Sequence, residues 1–425
     1  MVDLFEFQKA VLDSTAERNR VGYYLDMGLG KTFVGAEKSA RLGIDVIVVC
    51  QKTKIEDWVE HYSRNYKQFR VFDLTVKNGL TEFSEYEGLK CGVINYDLVF
   101  RRPLLSKIKG YTLILDESSL IQNEKSKRTK FITGKMKADN VILLSGTPTG
   151  GKYENLHSQL GLLGWNISKT MYWDHYIDYE VLDVGFNIHT HEPNHVKVVK
   201  GYKNVDRLMG KIRELGCVFL KTEDVFDLPE QRDVVISCKP SDEYLKFQTD
   251  WVVDVDDTEL VGDTVLTALL YSRMLCGSYS RDKLDRLSDL LASSDDRIVI
   301  FYNFVEEAIR IKEILNVLDK PISEINGSVK DLTAYNEKSD AVVLCQYQAG
   351  SMGLNLQQSH IMVFFSPPLP YEQYAQARKR IHRIGQKDSC IYYKMVVAGS
   401  VEENIYERLA MREDYNEDMF KWRKI

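Results

Sequence analysis

Residues 26–32 read Asp-Met-Gly-Leu-Gly-Lys-Thr, and this run governs how the rest of the chain is read. Gly28 and Gly30 let the backbone turn tightly, so that the loop Met27–Gly30 presents amide N–H groups to phosphates. Lys31 then reaches the β and γ oxygens, and the Thr32 hydroxyl ligates Mg²⁺ at the start of a helix. A strict eight-residue phosphate loop would place glycine at position 25, where this chain has Leu25, so the match is to the shorter Gly-x-Gly-Lys-Thr form. The other reading is a glycine-rich strand–helix turn that holds no ligand.

Working outward, residues 111–117 run Tyr-Thr-Leu-Ile-Leu-Asp-Glu. Two carboxylates at the carboxyl end of a buried strand stand where open α/β sheets bind ligands. Asp116 would hold the metal, and Glu117 would orient and deprotonate an attacking water. Alone, such a pair more often caps a following helix. Placed 85 residues after Lys31 in the same half of the chain, it becomes a strong partner to the glycine loop. A further apolar run, 141–144, ends in Ser145-Gly146-Thr147-Pro148, whose hydroxyls can relay nucleotide state to the carboxylates. By itself that string would read as a turn.

Short apolar, β-branched runs recur between charged, helix-patterned stretches. In the first half they are 45–50, 92–95, 111–115 and 141–144, and in the second 297–301, 341–345, 361–365 and 391–397. Continuous apolar strands alternating with amphipathic helices predict parallel sheets buried on both faces. A length of 425 residues and two such series separated by about 150 residues predict two α/β lobes, placed at 1–225 and 226–425. The seam falls near Asp227-Leu228-Pro229, since the residue before proline is pushed out of helical geometry. Between the series, 171–204 reads as loops rich in Tyr and His, followed by helical segments over 241–252 and 263–275.

Composition removes several classes. A hydrophobic fraction of 44% with 28% charged residues and nine prolines excludes a disordered or collagenous chain. The net charge of −6 supplies no whole-molecule attraction to nucleic acid, so any polyanion site must be a local groove. Seven scattered cysteines with no Cys-x-x-Cys pair read as reduced core residues, not a disulfide framework or a zinc site. With neither a signal-like start nor an 18-residue apolar run, the chain is expected in the cytoplasm or nucleoid, off the membrane.

The second half contributes 371–386, YEQYAQARKRIHRIGQ, opened by Pro370 and closed by Gly385. This predicts one helix with Gln376, Arg380 and Arg383 on a single face. Two arginines so placed would stabilise charge on a γ-phosphate bound by the other lobe; the alternative is a solvated basic face. After the run 341–345, Gln348-Ala349-Gly350 and Gly353 form a loop that backbone or phosphate can approach closely. Gln8, 23 residues before Lys31, offers a side-chain amide for an adenine edge.

Taken together these strings resemble a superfamily-two helicase-type motor and, more narrowly, the Swi/Snf-type family of ATP-dependent DNA translocases. The resemblance rests on Phe7-Gln8, the loop through Lys31-Thr32, Asp116-Glu117, Ser145–Pro148, Gly353-Leu-Asn-Leu356, the Gln376–Gln386 run and Ser400-Val-Glu-Glu403, and covers about residues 4–410. It implies an α/β fold of two RecA-like lobes with parallel sheets and short helical insertions near 150–225 and 240–285. It also implies ATP with Mg²⁺ in the cleft and a DNA duplex across both lobes. Carried over by position, Gln8 reads adenine, Lys31 and Thr32 hold phosphates and Mg²⁺, Asp116 and Glu117 do metal and water work, and Arg380 and Arg383 are fingers. Gly353 and Gln376 join the nucleotide set.

Three departures bear on this. The family's usual Ala-His after Asp-Glu is Ser118-Ser119, its Gln-Asn after Gly-Thr-Pro-x is Gly150-Gly151, and its Asp-x-x-Trp-Asn-Pro is Ser366-Pro-Pro-Leu-Pro370. The short insertions suggest a compact bacterial or viral relative.

Nucleic acid would lie along 124–137, with six Lys and Arg against one Glu, including Lys127 and Arg128. Lys52, Gln348, Ala349 and Gly350 occupy places where family members touch the strand backbone. Contacts to phosphate carry no base code, so double-stranded DNA would be bound without sequence preference. Partners that recruit the motor, such as replication or repair proteins, fit the same reading. His189, His191 and His195 form the one histidine cluster, read as an exposed loop and not as zinc ligands. Two rivals stay open: a strand-separating helicase on DNA or RNA, and a nucleotide-dependent clamp that binds without turnover.

Overall fold

The structure, a computed structural model, describes residues 3–187, 192–256, 258–349 and 354–421. It divides into two compact units, one of the residues up to Lys221 together with those from Tyr415 on, the other Thr222–Asp414.

The first unit carries β1 (Arg20–Leu25), β2 (Asp45–Cys50), β3 (Arg70–Asp73), β4 (Lys90–Asn95), β5 (Tyr111–Asp116), β6 (Asn140–Leu144), β7 (Ile177–Asn187), β8 (Glu192–Tyr202) and β9 (Cys217–Leu220). Seven of these form one all-parallel sheet in the order β3-β4-β2-β5-β6-β1-β9. The apolar runs of β2, β5 and β6 are buried almost end to end because helices cover both faces, as continuous Val/Ile/Leu strands require. β5, β6 and β1 are neighbours, and Leu144 is level with Asp116 on one side and Tyr23 on the other. That register brings the three strand exits that carry the glycine loop, the carboxylate pair and Ser145 to one edge of the sheet.

The second unit carries β10 (Gln231–Cys238), β11 (Val252–Val255), β12 (Thr258–Val261), β13 (Ile298–Tyr302), β14 (Ile322–Ile325), β15 (Lys330–Asp331), β16 (Val342–Gln346), β17 (Ile361–Phe364) and β18 (Cys390–Val397). Its main sheet runs β10-β18-β17-β13-β16-β14-β15, parallel except for the β14–β15 pair. β13 shows why the core is double-sided. Ile298, Ile300 and Tyr302 pack into one apolar cluster with Leu344 and Val363, while Val299 and Phe301 pack into another with Cys345 and Phe364. Each unit is thus an α/β lobe built on a largely parallel sheet, as the alternating runs predicted.

Residues 171–204, expected as loops, are corrected. A helix Lys169–Tyr176 leads into the antiparallel hairpin β7–β8, which has register shifts between Asp178 and Tyr179 and between Asp183 and Phe186. The hairpin is anchored at its base, where Ile177 is fully buried and the Tyr202 ring lies 4.6 Å from that of Tyr153. Farther out, Val181, Leu182 and Val196 are exposed. A ribbon without a buried face carries no clean two-residue apolar alternation, so the sequence pattern was weak. All seven cysteines are buried free thiols. Among the described residues no helix is long and apolar enough to cross a membrane.

Candidate active site

In the first lobe, β1 ends at Leu25 and the loop 26–30 delivers the chain into the helix Lys31–Leu42. Gly30 caps that helix at φ +71°, a left-handed conformation that L side chains rarely adopt, and an added methyl would overlap Gln8 Nε2. The buried Gln8 amide explains the crowding. Its Oε1 accepts from the Phe5 amide at 3.0 Å and its Nε2 donates to the Leu29 carbonyl at 3.0 Å. Gln8 is therefore tied to the glycine loop itself. Met27 N is held by Asp26 Oδ1 at 2.9 Å, and the Lys31 ammonium donates to the Leu25 and Asp26 carbonyls at 3.0 and 3.3 Å.

Asp116 and Glu117 leave β5 beside this loop. Burial pushes both carboxyls above the usual carboxylate range, and the Lys31 charge opposes the shift in each. Asp116 Oδ2 accepts from the indole N–H of Trp58 at 2.8 Å. Glu117 adopts φ 58° and ψ 60°, unusual for a residue with a side chain. Tyr96 holds the turn by donating to the Asp116 carbonyl at 3.0 Å and approaching that of Glu117 at 3.4 Å. The conformation aims the Glu117 carboxylate at β6, where Oε1 accepts from Ser145 Oγ at 2.7 Å and from Ser119 Oγ at 3.2 Å. Ser145 Oγ in turn accepts from the Thr147 amide at 3.1 Å. Gly146 faces Lys31, since a methyl there would stand 3.4 Å from the lysine Nζ.

The structure thus brings Gln8, Leu29, Gly30, Lys31, Asp116, Glu117, Ser145, Gly146 and Thr147 into one network. Thr32 follows Lys31 in the first turn of the helix. A hydroxyl and a carboxylate are hard oxygen donors, the set that suits Mg²⁺. Trp58 and Tyr96 were not singled out from the sequence. A Trp inside the amphipathic helix Ile55–Asn65 is a weak signal, useful only because a buried indole N–H must find an acceptor.

In the second lobe the expected helix over 371–386 is corrected. It spans Tyr371–Arg378, and residues 379–386 are turns. Gln376 lies on the helix, but Arg380 and Arg383 do not share a helical face with it. Past Arg378 the amides of Lys379 and Arg380 still donate back to the Ala375 and Ala377 carbonyls, but the carbonyls of Arg378 and Arg380 also take bonds from outside the segment. Tyr392 Oη donates to the Arg378 carbonyl at 3.0 Å, and the Leu356 amide takes the Arg380 carbonyl at 3.1 Å. Arg378 is locked by Asp233 at 2.7 Å and by its position over the Tyr392 ring at 4.1 Å. The turns nevertheless aim both arginines the same way: Arg383 donates to the Leu354 carbonyl at 3.2 Å, and Arg380 approaches it at 3.5 Å. Gln386 closes the segment by donating to the Ser359 and Ile381 carbonyls at 2.8 and 3.2 Å.

The remaining candidates are spread out. Lys52 is exposed in a single turn after β2, and Lys127 is exposed in the helix Lys127–Gly134, while Arg128 lies 3.6 Å from Asp97. Gln348 is exposed and Ala349 buried after β16; Gly350 and Gly353 lie outside the described residues. His189 and His191 also lie outside them, and His195 pairs with Asp183 across the β7–β8 hairpin.

The model of the SNF2-related domain matches residues 17–277, and that of the helicase conserved C-terminal domain matches residues 282–385. The chain belongs to the SNF2-related family. That family is one of SNF2 helicase-like ATPases. Similar SNF2-related proteins include a probable ATP-dependent DNA helicase, CHR12, of Arabidopsis thaliana, 25% identical over 90% of this chain and 38% of the relative. Another is the DNA repair and recombination protein RAD26 of Saccharomyces cerevisiae, 24% identical over 81% of this chain and 34% of the relative. The chain spans little more than a third of the length of these curated relatives. Among solved structures, the SWI2/SNF2 ATPase core of Sulfolobus solfataricus in complex with dsDNA shares 18% identity at a TM-score of 0.47, covering 99% of this chain and 94% of that one.

Proposed function

We propose that this SNF2-related chain is an ATP-driven motor that translocates along double-stranded DNA, with hydrolysis stimulated by the duplex. The observation that carries the reading is the Glu117 carboxylate, half-buried at the exit of β5 and bound by Ser145 at 2.7 Å, with the Lys31 charge acting on it. A carboxylate whose proton affinity is raised by burial is suited to take a proton from water.

In this reading the amides of 27–30 and Lys31 bind the phosphates, and Gln8 faces the base while bracing the loop. Thr32 and Asp116 would hold Mg²⁺, which when bound neutralises developing charge on the phosphates. Glu117 orients and deprotonates the attacking water, Ser145–Thr147 sense the result, and Gln376, Gly353, Arg380 and Arg383 are the second lobe's contribution to the nucleotide. Lys52, Lys127, Arg128, Gln348, Ala349 and Gly350 are proposed to track DNA phosphates without reading bases. Repair, recombination, fork remodelling or displacement of bound proteins are the tasks such a motor fits. RAD26, named for DNA repair and recombination, supports that direction.

A triplex-displacement assay tests translocation directly. ATP-dependent release of a third strand from a duplex, absent with Glu117→Gln, is the expected result. Hydrolysis without any release would show that the enzyme turns over ATP but does not move along the duplex.

A further inference from the structure

We infer that Gln159 is a positioning residue that couples the Asp116-Glu117 turn to the Ser145–Pro148 loop, an inference that rests on the ATPase reading above. Gln159 is fully buried and lies on the short helix His157–Leu162, away from every motif quoted from the sequence. Its Oε1 accepts from Ser118 Oγ at 2.7 Å and from Tyr24 Oη at 3.2 Å, while its Nε2 donates to the Pro148 carbonyl at 2.7 Å. Ser118 directly follows Glu117, Pro148 is the third residue after Ser145, and Tyr24 is the penultimate residue of β1, just before the glycine loop. One amide therefore touches the exits of β5, β6 and β1.

The chemistry makes this link directional. The Pro148 carbonyl can only accept, which fixes which end of the amide faces it, and the other end must then be the acceptor for both hydroxyls. The helix that carries Gln159 is anchored through Ser158 Oγ, which donates to the Ile121 carbonyl at 2.9 Å, and the turn Tyr153–Leu156 before it through Asn155 Nδ2, which donates to the Thr149 carbonyl at 2.9 Å and to Gln122 Oε1 at 2.8 Å. A satisfied buried network of this kind resists movement of one member without the others. If the Ser145–Pro148 loop shifts relative to Glu117, either the Ser118 or the Pro148 bond to Gln159 must stretch. The direct Ser145–Glu117 bond thus has a second link running in parallel. Its donor is Ser118, the position where the family's usual alanine has no hydroxyl to give.

The test compares Ser118→Ala, Gln159→Met and the double variant with the unmodified chain in the presence of duplex DNA. It measures kcat and KM for ATP, Kd for a fluorescent ADP analogue, and the thermal midpoint. Ser118→Ala leaves Gln159 bonded to Tyr24 and Pro148, so the fold is retained. Its kcat is expected to fall by about five- to tenfold while Kd for ADP changes less than about twofold. The double variant is expected to be no slower than Gln159→Met, because both changes cut one link. Should Gln159→Met fail to fold, Ser118→Ala decides alone. Unchanged kcat in Ser118→Ala, effects that multiply in the double variant, or a kcat loss matched by equal losses in Kd and thermal midpoint would each overturn the inference. An unmodified chain that never hydrolyses ATP overturns the ATPase reading and this inference together, whereas normal turnover in Ser118→Ala overturns this inference alone.

Discussion

Ser145 Oγ donates to Glu117 Oε1 across 2.7 Å, joining the ends of two neighbouring parallel strands through side chains. The bond exists because Glu117 takes up a left-handed backbone conformation that turns its carboxylate along the sheet edge toward β6. Tyr96 steadies that conformation through the carbonyls on either side of the turn. The strain is located at the residue assigned to activate water, where such conformations concentrate.

Glu117→Gln keeps the shape and removes the base. Its kcat is expected to drop by about a hundredfold or more with nucleotide affinity retained. Ser145→Ala removes only the orienting hydroxyl, with an expected loss of about three- to tenfold. Steady-state turnover and nucleotide binding on both variants check this, and full turnover by Glu117→Gln would remove Glu117 from the base role.

Burial raises the Glu117 and Asp116 carboxyls, with Lys31 limiting the shift. The acid limb of the rate profile is therefore expected above the ordinary carboxylate value of about 4.3. Stability follows the same sign. A carboxyl raised on folding favours the folded state at low pH, and that contribution is lost as pH rises through its folded value. Glu117→Gln should thus raise the thermal midpoint at pH near 8, and the gain should shrink toward acid. A lower midpoint for the variant near pH 8 would contradict the burial argument.

Gly30→Ala places a methyl into Gln8 Nε2 at a positive φ. The expected cost is about 1–2 kcal/mol of stability, and nucleotide affinity falls at least about tenfold because the loop must shift. Calorimetric titration with ADP reads the affinity. Wild-type binding would mean that the loop does not contact phosphate through this turn.

In the second lobe Lys283 Nζ reaches both oxygens of Glu402 at 2.7 and 2.9 Å, with both side chains essentially without solvent contact. Glu402 also accepts the Val397 amide at 3.0 Å, which gives the Ser400–Glu403 string a structural task. Lys283→Met alone is expected to destabilise by about 3–5 kcal/mol, because it strands a buried carboxylate. Adding Glu402→Leu should recover part of that loss in denaturant unfolding. Strictly additive losses would show that the two side chains do not act as a pair.

The sheets were legible because their strands are continuous Val/Ile/Leu runs, as in 45–50 and 141–144, a pattern that burial on both faces imposes locally. The glycine loop and Asp116-Glu117 were legible because their chemistry demands fixed residue types. Other features depend on distant partners and left no local trace. The helix from Tyr371 reads as running to Gly385, yet it ends at Arg378, and the turns beyond it are tied to Tyr392 and Leu356, residues that no local pattern points to. The contacts of Trp58 with Asp116 and of Gln159 with Ser118 likewise join residues 58 and 41 positions apart. The β7–β8 hairpin is illegible for the opposite reason, since its outer half buries too little to enforce alternation.

The most direct test of the motor assignment is the steady-state ATPase rate without nucleic acid and then with single-stranded DNA, duplex DNA and duplex RNA. The account predicts strong stimulation by duplex DNA, weakening as salt is raised because the contacts are to phosphate. A rate indifferent to duplex DNA, or one raised only by single strands or RNA, would contradict it.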